Sequence, residues 1–214
     1  YNVLEGLTLQ PITRADYVFQ GWYLNDIFSG AIVTSLPIEG APLGNVTLYA
    51  KFSQAYPIQY VLGENAVNDS RNAANYTRES GAALYPASRL GYDFEEWNTS
   101  PDGTGDTVTQ IPSGSTGTVR LYAIWAVKTY SISYNLNGGS FSDTPVSNYT
   151  VEDTVSLPEP EKTGYDFVGW CATEQLTDAP ISAFSGQTGN KVFYAKWSLE
   201  SYEIIYNGME QGSN

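Results

Sequence analysis

Three segments of this chain carry one aromatic motif, and that repetition limits the fold to small modules in tandem. Gly91-Tyr92-Asp93-Phe94-Glu95-Glu96-Trp97 returns as Gly164-Tyr165-Asp166-Phe167-Val168-Gly169-Trp170, and an earlier copy reads Tyr17-Val18-Phe19-Gln20-Gly21-Trp22. The tryptophans stand 75 and 73 residues apart. A closing motif keeps step with them: Leu48-Tyr49-Ala50-Lys51-Phe52, Leu121-Tyr122-Ala123-Ile124-Trp125 and Phe193-Tyr194-Ala195-Lys196-Trp197. So does an opening motif: Tyr56-Pro57-Ile58-Gln59-Tyr60, Tyr130-Ser131-Ile132-Ser133-Tyr134 and Tyr202-Glu203-Ile204-Ile205-Tyr206. A period above about 70 residues lets each copy close its own core, which separates tandem domains from solenoids. Tandem copies of one module suggest reach or multivalency before chemistry.

The spacing divides the chain. Residues 1–53 form a partial repeat without its first strand, because Tyr1 aligns with Tyr76 and Tyr149. Residues 54–127 and 128–198 are full repeats, and 199–214 is the first strand of a further one. The links Ser53-Gln54-Ala55, Ala126-Val127-Lys128-Thr129 and Ser198-Leu199-Glu200-Ser201 are short, which predicts a semi-rigid rod.

Within a repeat the signals are for strands. Tyr130, Ile132, Tyr134 and Leu136 alternate with Ser131, Ser133 and Asn135, a period of two with one apolar face. Asn137-Gly138-Gly139 ends that strand with residues that tolerate positive φ. Pro158-Glu159-Pro160-Glu161-Lys162-Thr163-Gly164 lacks the donors of a central strand and reads as an extended crossover. The stretch Ile181–Gly189 is the one place that suggests a helical turn. The expectation is a mainly β, helix-poor fold, α+β at most, whose repeated Tyr, Phe and Trp build the cores.

Composition narrows the functions. A net charge of −13 leaves nothing to neutralise phosphates, which argues against nucleic acid. No run of about 18 apolar residues predicts membrane insertion. With no His there is no Ser-His-Asp or Cys-His pair and no His-based metal site. The single Cys171 follows Trp170, where the other copies have Tyr23 and Asn98, so it reads as packing or surface rather than a reactive thiol. Glu95 and Glu96 are neighbours in a strand and point to opposite faces, which is wrong for a catalytic pair. The loop Asn98–Asp106 offers oxygens to Ca²⁺ but lacks the full acidic pattern, leaving Asp102-Asp106 against a plain solvated hairpin loop. No catalytic, cofactor-binding or metal residue, no cofactor and no enzymatic activity is expected. Five Asn-X-Ser/Thr sequons, at Asn45, Asn68, Asn75, Asn98 and Asn148, matter only where secreted proteins are glycosylated.

Taken together, Tyr-x-Ile-x-Tyr, Leu136-Asn137-Gly138-Gly139, Leu157-Pro158-Glu159-Pro160, Gly164–Trp170 and Tyr194-Ala195-Lys196-Trp197 resemble the Listeria–Bacteroides repeat, the B-repeat type module of internalin-like surface proteins. The middle copy departs, with Leu62-Gly63-Glu64-Asn65 at the turn, Leu84-Tyr85-Pro86-Ala87 at the proline pair and Ile124 for the lysine. The resemblance implies β-grasp-like modules in a secreted or wall-attached bacterial protein, between a recognition domain and an anchor. That makes a non-catalytic stalk at the cell surface the first expectation. The alternative is an adhesin module that binds a host surface protein or glycan, with Tyr23 or Tyr49 offering stacking surface outside the core. A further expected partner is a second copy, head to tail, with the strand Tyr202–Tyr206 completing the first repeat.

Overall fold

The structure, a computed structural model, describes residues 6–36, 38 and 44–205. Among them every regular element is a strand. The chain forms two compact units: the described residues of Tyr1–Arg89 with Phe94–Ala126, and those of Leu90–Asp93 with Val127–Asn214. No helix among the described residues is long and apolar enough to cross a membrane, which says nothing of a β-barrel.

The first unit opens with β1 (Leu7–Thr8), β2 (Tyr17–Tyr23), β3 (Ser35–Leu36) and β4 (Tyr49–Gln54). β1 pairs antiparallel with β3 and β2 antiparallel with β4. After Ala55 come β5 (Tyr56–Val61), β6 (Ala66–Val67), β7 (Asn75–Tyr76), β8 (Ala82–Ala83), β9 (Ser88–Arg89), β10 (Tyr92–Asn98), β11 (Gln110–Ile111) and β12 (Val119–Val127). The main sheet runs β10-β12-β5-β7, with β5 and β12 parallel and β5 and β7 antiparallel. Two small ribbons, β6 with β9 and β8 with β11, complete it.

The second unit repeats the plan with β13 (Tyr130–Asn135), β14 (Asn148–Tyr149), β15 (Thr154–Ser156), β16 (Tyr165–Cys171), β17 (Ala183–Ser185) and β18 (Lys191–Leu199). Its sheet runs β14-β13-β18-β16. The first and last long strands, β13 and β18, lie side by side and parallel, with Tyr134 opposite Phe193. β16 is antiparallel to β18, and the register shifts between Phe167 and Gly169. The same shift falls between Phe19 and Gly21 in β2. Both glycines have positive φ, Gly21 at 143° and Gly169 at 139°.

One expectation is corrected. Ile181–Gly189 holds no helical turn; Ala183–Ser185 is strand β17, antiparallel to β15. Phe184 is buried between exposed Ala183 and Ser185 and packs on Tyr149 and Phe193, with ring centroids 5.0 and 5.7 Å away. One large ring flanked by two small residues satisfies strand alternation and gives a helix no apolar face.

The repeated aromatics build both cores. In each copy the motif Phe stands edge-on between the motif Trp and the closing ring. Phe167 lies 5.3 Å from Trp170 and 5.4 Å from Trp197; Phe94 lies 5.2 Å from Trp97 and 5.5 Å from Trp125; Phe19 lies 5.4 Å from Trp22 and 5.7 Å from Phe52. Edge-to-face packing sets a ring's positive rim on a neighbour's negative face. The polar tips are anchored with equal regularity. Each motif Trp donates its indole N–H to the carbonyl twelve residues back: Trp22 to Gln10, Trp97 to Tyr85 and Trp170 to Pro158. Trp125 donates to Leu62 and Trp197 to Leu136, the residues just after the opening strands. Tyr60 and Tyr134 donate to Ala73 and Val146, and Tyr76 and Tyr149 to Gly117 and Gly189. Burial pushes the Tyr134 phenol up to about 12. These bonds satisfy loop carbonyls at the core's edge, where an unpaired acceptor costs about 1–3 kcal/mol.

Candidate functional site

A ligand site shared by tandem repeats recurs at equivalent positions. The loop after the motif Trp is the most distinctive. At the bulge β2 and β16 turn their next residue inward, and Tyr23, Asn98 and Cys171 are all buried. Six residues after each Trp the backbone takes positive φ: Phe28 at 55°, Gly103 at 74° and Leu176 at 55°. The loop thus folds back over its own strand in every copy. Phe and Leu in that conformation carry strain of about 1–2 kcal/mol that Gly103 avoids.

What the loop covers differs. In the first copy Tyr23 meets Phe28 edge-on at 5.7 Å, and the Lys51 ammonium lies 5.7 Å from the Tyr23 ring. Tyr23 is therefore core rather than stacking surface, because the loop closes over it; Tyr49 stays exposed. In the third copy the Cys171 thiol points at the Asp178 carbonyl, and Lys196 donates to the Leu176 carbonyl. Burial pushes the Cys171 thiol up, the reverse of an activated nucleophile. In the middle copy a side chain on Gly103 would lie within ordinary contact distance of Ile124, the residue that stands where the other two copies have Lys51 and Lys196.

Asn98 organises the middle loop. Its amide N–H₂ donates to Glu96 and to the carbonyls of Gly103 and Gly105, while its oxygen accepts from the Ser100 N–H. Asp102 accepts from the Ser100 and Thr104 hydroxyls and the Thr104 N–H, which lowers its carboxyl to about 2. Glu96 accepts from Thr107 and Asn98, which holds it below its usual value. The loop oxygens that could attract Ca²⁺ converge on an amide and two hydroxyls instead. Among the described residues no three His, Cys, Asp or Glu are placed to hold a metal ion. The sequon at Asn98 is closed in the folded state, since its side chain is fully buried.

Asn98→Ala should lower stability by about 2–4 kcal/mol, because two carbonyls and a backbone N–H lose their partner inside the loop. A urea midpoint measures this. Millimolar calcium should move neither the parent's midpoint nor the variant's.

A second repeated feature escaped the sequence reading. A cation stands three residues before each motif Tyr: Arg14, Arg89 and Lys162. The Arg14 guanidinium sits 4.0 Å from the Tyr17 ring and 5.8 Å from Phe52. The Lys162 ammonium sits 4.2 Å from Tyr165 and 5.8 Å from Trp197, and donates to the Asn137 carbonyl. A tight turn carries it there, with the Tyr165 N–H on the Lys162 carbonyl and the Tyr17 N–H on that of Arg14. The signal was available, since three of only ten Lys and Arg recur at this place. It decides the character of a surface cavity of about 480 Å³ bounded by Gly139, Glu161, Lys162, Tyr165 and Trp197. Its aromatic wall is already covered by the chain's own cation, a contact of about 0.5–1 kcal/mol at an exposed site.

Repeated small sheets with aromatic cores and looped-over strands, and no helix among the described residues, define an all-β tandem-repeat protein. The model of the Listeria-Bacteroides repeat domain matches residues 5–51, 56–124 and 130–196, and the chain belongs to that family. It is 32% identical to a protein of Evansella cellulosilytica provisionally named a Gly-rich membrane protein, over 94% of this chain and 25% of the relative. A second protein of that organism, provisionally named a membrane protein, is 28% identical over 95% of this chain and 30% of its own length. The chain thus spans under a third of either relative. No solved structure matches.

Proposed function

We propose that this chain is a non-catalytic stalk region of a bacterial cell-surface protein, built of β-grasp-like modules and holding another domain away from the cell. The observation that carries the reading is the use made of the repeated aromatics. Their faces fill the cores and their polar tips bond loop carbonyls, so the motif is explained by folding. Most exposed apolar residues do not recur; Val127 and Leu199 share one position, where the first copy has Gln54. Exposed Val18 stands where the other copies have Asp93 and Asp166, and exposed Val168 where they have Gln20 and Glu95. A shared ligand would require one recurring patch. Every described carboxylate with a resolved shift, Asp69, Glu79, Glu96, Asp102 and Asp178, is lowered, opposite to the raised acid that general acid catalysis uses. Family membership and the relatives' provisional names support an extracellular, surface-attached setting.

One feature favours the adhesin reading. Tyr49, Tyr122 and Tyr194 recur on the closing strand, next to buried Leu121 and Phe193 and facing away from them. The test is binding of the whole chain to host cells, matrix proteins and glycans, beside a Tyr49→Ser/Tyr122→Ser/Tyr194→Ser variant. The stalk reading expects no saturable binding by either. Saturable binding by the parent that the variant loses would replace it with a multivalent adhesin. The segment Tyr202–Tyr206, expected as an opening strand, bears on head-to-tail pairing: residues 202–205 form no strand, Tyr202, Ile204 and Ile205 are exposed, and Tyr206 lies outside the described residues.

A further inference from the structure

We propose that the Gly91-Tyr92-Asp93 corner is a docking element whose partner is the Thr150-Val151-Glu152 turn of the repeat that follows it, so that one repeat recognises its neighbour through specific side chains. By sequence Leu90–Asp93 belongs to the repeat that closes at Trp125; by contact it belongs to the second unit. Three contacts hold it there. The Tyr92 phenol donates to the Glu152 carboxylate at 2.5 Å. Asp93 pairs with Lys128 at 2.9 Å, which raises the lysine's pKa. Gly91, at a φ of 80°, lies so close to Val151 that a side chain there would come within 2.6 Å of it. The corner therefore presents a glycine seat, a phenol donor and a carboxylate; the turn supplies a methyl-bearing side chain and an acceptor, and the linker supplies Lys128.

The preceding joint, inside the first unit, uses the same place with different chemistry. Glu79 occupies the position of Glu152, three residues after the buried Tyr; its own backbone N–H and the Thr77 side chain lower its pKa most, and across the joint Ser53 donates to it with Lys51 nearby. Asp16 stands where Gly91 does, with positive φ as well, and Arg78 stands where Val151 does. The backbone rule is common to every joint. The third residue after the closing aromatic donates to the carbonyl just before the motif Tyr: Ala55 to Asp16, Lys128 to Gly91 and Glu200 to Gly164. Each linker is held at its root, while the side chains that complete the joint differ from joint to joint. Repeats joined this way are matched to their neighbours and not freely interchangeable, whether the chain serves as stalk or adhesin.

Amide exchange in the whole chain tests this, because the Lys128 amide bonds Gly91 and the Glu200 amide makes the same bond at Gly164. Tyr92→Phe and Glu152→Leu should each speed exchange at Lys128 by about three- to tenfold and leave Glu200 unchanged. The double variant should go no further than the stronger single change, since both remove one interaction. Lys128 exchange unchanged in both single variants would overturn the proposal. So would effects that multiply in the double variant, or equal acceleration at Glu200, which would mean general loss of stability. A transplant gives a second reading. Gly91→Asp with Val151→Arg, the pair found at the preceding joint, should restore Lys128 protection lost in either single variant; protection that stays lost would count equally against matched joints.

Discussion

Trp170→Ala should remove about 3–5 kcal/mol from the second unit, enough to leave it largely unfolded at room temperature. The indole is fully buried. It lies 4.9 Å from the Tyr134 ring, 5.3 Å from Phe167 and 6.0 Å from Phe141, so truncation opens a cavity at the meeting of three rings. It also strands the Pro158 carbonyl, which accepts the indole N–H at 2.8 Å. A module of about 70 residues has little reserve, so a loss of this size approaches its whole stability. Near-ultraviolet circular dichroism through a thermal scan measures it. Trp170→Phe separates the two causes, because it keeps a ring and still leaves the carbonyl unpaired; it should cost about half as much. A midpoint within a degree or two of the parent in Trp170→Ala would mean that the core is not where the packing puts it.

Gly169→Ala should cost about 2–4 kcal/mol, although it adds one methyl group. The residue holds a φ of 139°, which an L side chain rarely adopts, and a Cβ would lie 2.7 Å from Cβ of Pro180, a ring that cannot swing aside. Gly21 repeats the case at 143°, where the obstacle is Ile32. The middle copy is the natural contrast. Glu96 fills the same place with negative φ and uses its side chain to accept from Asn98 and Thr107. Glu96→Gly should therefore destabilise by about 1 kcal/mol through backbone entropy and the lost acceptor. Chemical denaturation of the two variants side by side gives the comparison. If Gly169→Ala matched the parent, the bulge would not be as rigid as its repetition implies.

Much of this was legible in the chain. Alternation in Tyr130–Asn135 placed Ile132 in the core and Ser131 and Ser133 outside. Asn137 and Gly138 do take positive φ, at 47° and 89°. The proline-rich crossover forms no strand within Leu157–Pro160. These features depend on a few neighbouring residues, so local reading reaches them. Two readings differ from the structure. Tyr23, offered with Tyr49 as stacking surface, is buried because the loop after the bulged strand closes over its ring. Ile181–Gly189 was expected to turn because its polarity hides the one ring, Phe184, that a partner strand buries.

The repeat period, the strand faces and the identity of the core residues were determined by the sequence itself, since aromatic spacing and alternation are short-range properties written into each copy. Tertiary structure alone decided that the first and last long strands lie parallel at the centre of each sheet and that Leu90–Asp93 docks with the segment that follows it. Those outcomes join residues about sixty positions apart, as with Tyr92 and Glu152. At that distance no local preference acts, and the partner is chosen by which faces, carbonyls and charges remain unsatisfied once the cores have closed.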